Sequence, residues 1–89
     1  KALQLSPDDP FIIDSMGWIK YRMGENSTAL DFLRKAYNAF KDQEIAAHLG
    51  EVLWVTGSQQ EAISVWKQSL EENPDSKVLQ NVMKRFITD

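Results

Sequence analysis

Gly50 lies 33 residues after Gly17, and with the two superposed the chain repeats itself over most of its length. Met16 falls on Leu49, Ile19 on Val52, Tyr21 on Trp54, Gly24 on Gly57 and Ala29 on Ala62. Leu30 falls on Ile63, Phe32 on Val65 and Leu33 on Trp66. Small residues meet small ones, and large apolar residues meet large apolar ones. A period of this length marks stacked supersecondary units, not one chain wrapped around a single core. That constraint moves the functional question from catalysis toward binding.

Each unit reads as a pair of helices. Asp9 before Pro10 is a helix start, because proline at the first helical position has no N–H to satisfy. Phe11, Ile12, Met16, Ile19 and Met23 then recur at helical spacing until Gly24. A second helix is expected from Asn26 or Ser27, with Ala29, Leu30, Leu33, Ala36, Tyr37 and Phe40 on its apolar face. Asp42 is a candidate cap for a third, which carries Ile45, Ala46, Leu49, Val52 and Leu53. Ser58 and Glu61 have the spacing of a capping box and predict the start of a fourth helix. That helix carries Ala62, Ile63, Val65, Trp66 and Leu70 and stops at Asn73-Pro74. Asp75 is the expected cap of a fifth, with Leu79, Val82, Met83, Phe86 and Ile87. The chain is predicted to be all-α, and its short linkers make neighbouring helices antiparallel.

Composition narrows the function. With 89 residues, 43% of them apolar, the chain is one small folded unit. It has no cysteine, so neither a disulfide framework nor a cysteine zinc site is available. A net charge of −3, with acidic and basic residues mixed, lacks the basic stripe that a nucleic-acid surface needs. The apolar runs are far shorter than the roughly 18 residues of a membrane span. His48 is the sole histidine, so no second His or Cys completes a metal site or supports a hydrolase triad. The four glycines sit at repeat spacing, not in a phosphate loop. No enzyme activity and no cofactor are expected. Because the chain opens at Lys1 and Lys1 to Leu5 reads as the last turn of a helix, we expect an excised fragment. Its solvating end, Ile87-Thr88-Asp89, suggests a position near the C-terminus of a parent protein.

The pattern Met16-Gly17, Gly24, Ala29, Ala36 and again Leu49-Gly50, Gly57, Ala62, Pro74 resembles the tetratricopeptide repeat (TPR). The resemblance covers essentially the whole chain. It implies a right-handed superhelix of antiparallel helix pairs, about five helices plus the tail of a preceding one. The implied units are 1–9, the tail of a preceding repeat; 10–42 and 43–76, two repeats; and 77–89, a capping helix. Pro7 and Pro74 fall at matching repeat ends. Lys20, Lys41 and Ser69 depart from the family pattern, and the first unit is one residue shorter than the usual 34 or so. More loosely, Asp14, Met16, Gly17, Trp18, Tyr21 and Arg22, with Ala47 to Glu51, resemble C-terminal repeats of bacterial envelope TPR proteins. That narrower likeness favours the envelope over the cytoplasm.

In this family the first helix of each pair lines a concave groove. The register implies that Phe11, Asp14, Ser15, Trp18, Tyr21 and Arg22 line it from the first unit. Glu44, Ala47, His48, Glu51 and Trp54 follow from the second, and Val78, Asn81 and Arg85 from the last helix. The Lys/Asn/Arg clamp with which chaperone-binding repeats hold a peptide carboxylate is missing. What remains is aromatic area beside carboxylates, which suits a basic or amide-rich protein segment. Trp18, Tyr21 and Trp54 could instead pack between helices, and Trp66 is expected in the core. The leading expectation is a scaffold or adaptor that takes a peptide or helix of a protein partner in the groove. The alternatives are a structural cap on a longer array and a self-association module. Phe11, Ile12 and Ile19 are the expected apolar surface at the first unit, a patch that can drive homodimerisation.

Overall fold

The computed structural model describes residues 9–87, which form five α-helices. They are α1 (Pro10–Arg22), α2 (Asn26–Ala39), α3 (Gln43–Val55), α4 (Gln59–Glu72) and α5 (Lys77–Phe86). The readings placed on residues 1–8 and on Thr88 and Asp89 lie outside the described residues. Helices α1 and α2 form one antiparallel pair and α3 and α4 a second, while α5 packs on both helices of the second pair. The chain measures 49 × 29 × 17 Å, a flat stack as expected for an all-α helical repeat.

Local chemistry sets most of the helix ends. Asp9 accepts from the Phe11 amide at 2.9 Å, and Asp42 accepts from Glu44 at 2.9 Å and Ile45 at 3.3 Å. These are the donors that a helix start leaves unpaired. Gly24 and Gly57 have φ of 86° and 101°, the left-handed conformation that ends a helix. After each of them the chain closes in the same way, with Glu25 N donating to Lys20 O and Ser58 N donating to Leu53 O.

Two predicted caps are corrected. Ser58 makes no side-chain cap bond, and no capping box forms. Glu61 instead receives both arms of the Arg34 guanidinium from α2, one at 3.2 Å, which draws its carboxylate away from the start of α4. That hydrogen-bonded partner holds the Glu61 carboxyl below its usual range. Ser76, not Asp75, caps α5: its hydroxyl accepts from the Leu79 amide at 3.2 Å. The turn closed by Ser76 N on Asn73 O moves the cap one residue along.

Helix α3 is the centre of the stack. Ile45, Ala46, Ala47, Leu49, Gly50, Val52 and Leu53 are all buried, since α1, α2, α4 and α5 surround it. Trp66 of α4 is fully buried against it, and its Nε1 donates to Ala47 O at 3.4 Å. A Cβ at Gly50 would stand 2.0 Å from Trp66 Nε1. At the matching place in the first pair, a Cβ at Gly17 would stand 2.9 Å from Leu33 Cγ. The same joint, a bare backbone receiving a large side chain from the second helix, thus occurs in both units. Trp54 and Phe86 close around Trp66 at centroid distances of 5.9 Å each.

Phe11 and Ile19 are exposed, as expected of the apolar surface on the first unit, and Ile12 is half-buried. Ile13 and Gly17 point inward, whereas Met16, Ile19 and Met23 are exposed, Ile19 to 57% and Met23 to 59%. Their counterparts Leu49 and Val52 are buried because α2 precedes α3 and covers that flank; among the described residues no helix precedes α1. Phe40 is also exposed, since the chain leaves the helix there with extended backbone, and its ring meets Phe11 edge-on at 5.7 Å. Lys20, at the place of buried Leu53, reaches Glu25 in the turn at 3.5 Å.

Two substitutions test this packing. Gly50→Ala is expected to lower unfolding free energy by about 1–3 kcal/mol in urea melts, because the indole cannot recede from a new methyl group. Gly17→Ala should lose less, since Leu33 can rotate away. Ser69, buried on α4, has a hydroxyl without a hydrogen-bond partner. Ser69→Ala should therefore raise stability by about 1 kcal/mol in the same assay; a loss would show that the hydroxyl is satisfied.

Candidate functional site

Helices α1 and α3, the first members of the two pairs, lie side by side with α5 packed against α3, and the three form one face. On α1, Asp14, Trp18 and Tyr21 follow one another at helical spacing and point toward α3, which answers with His48 and Glu51. His48 Nδ1 lies 2.9 Å from Asp14 Oδ1 and 3.1 Å from Oδ2. A carboxylate only accepts, so Nδ1 carries the proton in this contact. The Trp18 ring stacks on the imidazole at 4.2 Å and 26°, and contacts Tyr21 at 5.0 Å.

Glu51 is the second buried carboxylate of this face, only 8% exposed. Its Oε2 accepts from the Tyr21 hydroxyl at 3.2 Å, and Arg85 Nη1 of α5 stands 3.6 Å from Oε1. Burial pushes the Tyr21 phenol above its ordinary range, and the adjacent Glu51 carboxylate adds to the shift. Between α3 and α5 opens a concavity of about 190 Å³, lined by Trp18, Ala47, His48, Glu51, Val78, Asn81, Val82 and Arg85.

The structure brings together Trp18, His48, Glu51 and Arg85 in this lining, with Asp14 and Tyr21 immediately behind them as hydrogen-bonding supports. It does not bring Phe11, Arg22 or Trp54 there. Phe11 pairs with Phe40 at the far end of the first unit, and Arg22 is exposed in the last turn of α1. Trp54 sits half-buried over Trp66 and Phe86, sealing α3 against α4 and α5. Although one repeat apart in sequence, Tyr21 and Trp54 face different neighbours, because Tyr21 has α3 beside it and Trp54 has α5. Val82 was not anticipated in the lining; its signal was its place four residues after Val78 on the same side of α5.

The lining contains no Ser, Thr or Cys. Among the described residues no three His, Cys, Asp or Glu side chains are grouped to hold a metal ion. No described helix is long and apolar enough to cross a membrane.

No family model matches the chain. It is 57% identical over 51 residues to a TPR repeat-containing protein of Pseudomonas aeruginosa, a match that covers 57% of this chain and 9% of that much longer protein. That identity and the helix-pair architecture support the recognition of a tetratricopeptide-type repeat. Repeats of this type are typically scaffolds that offer protein partners an extended surface.

The half-buried Tyr21 phenol sets a pH dependence. Its pKa is raised in the folded state from 10.0, so its contribution is fully present below about pH 10 and is lost as pH rises through the folded value. Tyr21→Phe should lose less stability than the parent chain between pH 9 and 11 in urea melts. Parallel profiles would show that Tyr21 ionises as freely folded as unfolded.

Proposed function

We propose that this chain is a protein-interaction module that takes a peptide or helix of a partner protein on the face formed by α1, α3 and α5. The observation that carries the reading is the shared lining. Three helices that are not neighbours in sequence present Trp18, His48, Glu51, Asn81 and Arg85 around one concavity. Aromatic area beside fixed polar groups is the composition of interface hot spots. Trp18 is held from behind by His48, itself held by Asp14, so the surface is ordered before a ligand arrives, which lowers the entropy lost on binding. Phe11, Arg22 and Trp54 serve this reading only as the border of the face. The division into units 10–42, 43–76 and 77–89 belongs to the same proposal, as does a non-catalytic role.

Capture from an extract of the source cells tests it with the whole chain. Trp18→Ala and the bulky Asn81→Tyr should each abolish retention of a partner that the parent chain retains, with melting temperatures checked first. Lys67→Glu, on exposed α4 surface away from the concavity, should leave retention unchanged. Retention by the groove variants, or equal loss with Lys67→Glu, would sink the reading.

A second reading rests on a different observation, the exposed flank of Met16, Ile19 and Met23. Under it the chain is a structural segment or self-association module whose α1 flank is covered by another helix. The corresponding flank of α3 is buried by α2, and Lys77, Gln80 and Lys84 of α5 are polar and exposed. Sedimentation velocity at increasing concentration should then show a growing dimer fraction that Ile19→Glu removes. A monomer throughout, identical in both chains, would exclude self-association through this flank.

A further inference from the structure

Resting on the groove reading above, we infer that the concavity binds an arginine side chain of the partner at Glu51 Oε1, and that Arg85 is an internal placeholder which this side chain displaces. Glu51 is buried, and a buried carboxylate needs well-formed hydrogen-bonding partners. One oxygen accepts from the Tyr21 hydroxyl at 3.2 Å, longer than the roughly 2.5–2.7 Å of a charge-assisted O–H···O bond. The other has only Arg85 Nη1 at 3.6 Å, well beyond the roughly 2.7–2.9 Å of a charge-assisted N–H···O bond. The Arg85 side chain is itself 62% exposed, so its hold on Glu51 is a solvent-screened contact of little strength.

The rest of the lining favours a planar cation. The Trp18 ring, stacked on His48 by one face, borders the concavity, and aromatic rings attract guanidinium. His48, with Nδ1 committed to Asp14, leaves Nε2 as an acceptor when neutral. A guanidinium carries donors in several in-plane directions, enough to reach a carboxylate and a second acceptor at once. An acidic ligand would meet the opposite situation. It would have to draw Arg85 off Glu51 and then lie beside two buried carboxylates, Glu51 and Asp14.

The two roles open to Arg85 give opposite signs in one experiment. Blocked alanine pentapeptides with a central arginine, glutamine or glutamate are titrated into the ¹⁵N-labelled 89-residue chain, and the Trp18 indole and Asn81 amide signals are followed. The arginine peptide should shift them saturably, and the other two should not. Glu51→Gln, which keeps an acceptor for Tyr21, should weaken arginine binding by at least about tenfold. Arg85→Gln should strengthen it by about two- to fivefold, the scale of an exposed ion pair. Both variants are checked for an unchanged melt, and Glu51→Asp serves as a second probe if Glu51→Gln unfolds.

Weaker arginine binding by Arg85→Gln, or preference for the glutamate peptide, would overturn the placeholder role and assign Arg85 to the ligand. Equal shifts from the glutamine and arginine peptides would overturn the cation site while leaving the groove as a binding face. Shifts from none of the peptides would also overturn it, and the groove would then stand or fall on the capture experiment with Trp18→Ala and Asn81→Tyr.

Discussion

The stack depends on how closely a second helix approaches the first helix of its own pair. Gly50 makes room for the Trp66 indole and Gly17 for Leu33, so each pair is locked where a side chain enters space that a Cβ would fill. Interiors are packed too densely to absorb such an overlap, and the spacing between α3 and α4 therefore follows from one missing methyl group. The identity of the entering side chain then separates the two units. Leucine fills the first joint, whereas tryptophan at the second extends far enough to meet Trp54 and Phe86 and so anchors α5.

That anchorage is what creates the candidate site. With α5 held against α3, Val78, Asn81, Val82 and Arg85 are presented to the residues that α1 brings from the other side. Asp14, Trp18 and His48 form a chain of contacts from α1 to α3, and Tyr21, Glu51 and Arg85 form another from α1 through α3 to α5. Asp14 is tolerated at this depth because His48 pairs with it at 2.9 Å, whereas Glu51 has only longer contacts to Tyr21 and Arg85. The same chains couple the shape of the face to the register of the stack. A substitution at Trp66 or Gly50 would thus be felt at Arg85 without touching it.

The repeat period, the five helices and most of their ends were legible because each has a local cause. Pro10, Asp42, Gly24 and Gly57 act through backbone dihedrals and unpaired amides within a few residues of themselves. Misreadings arose where another group intervened. Glu61 left its cap for Arg34, 27 residues away, and Ser76 took the place of Asp75 as the cap of α5. Helical periodicity identifies an apolar stripe, but α1 carries apolar residues on two flanks. The flank that is buried depends on which helices lie beside it.

The candidate site divides in the same way. The register implied by the family resemblance put Asp14, Trp18, Tyr21, His48 and Glu51 on one face, and residues three and four apart do share a side of a helix. Pairing was not contained in that spacing. That His48 faces Asp14, that Glu51 is shared between Tyr21 and Arg85, and that Trp54 turns to Trp66 and Phe86 all follow from the distances between helices. Those distances are set by the Gly17–Leu33 and Gly50–Trp66 joints. Helix identity and face are properties of a dozen consecutive residues. Contact between helices is a property of the packed volume, and there a single indole decides which aromatic seals the core and which lines the concavity.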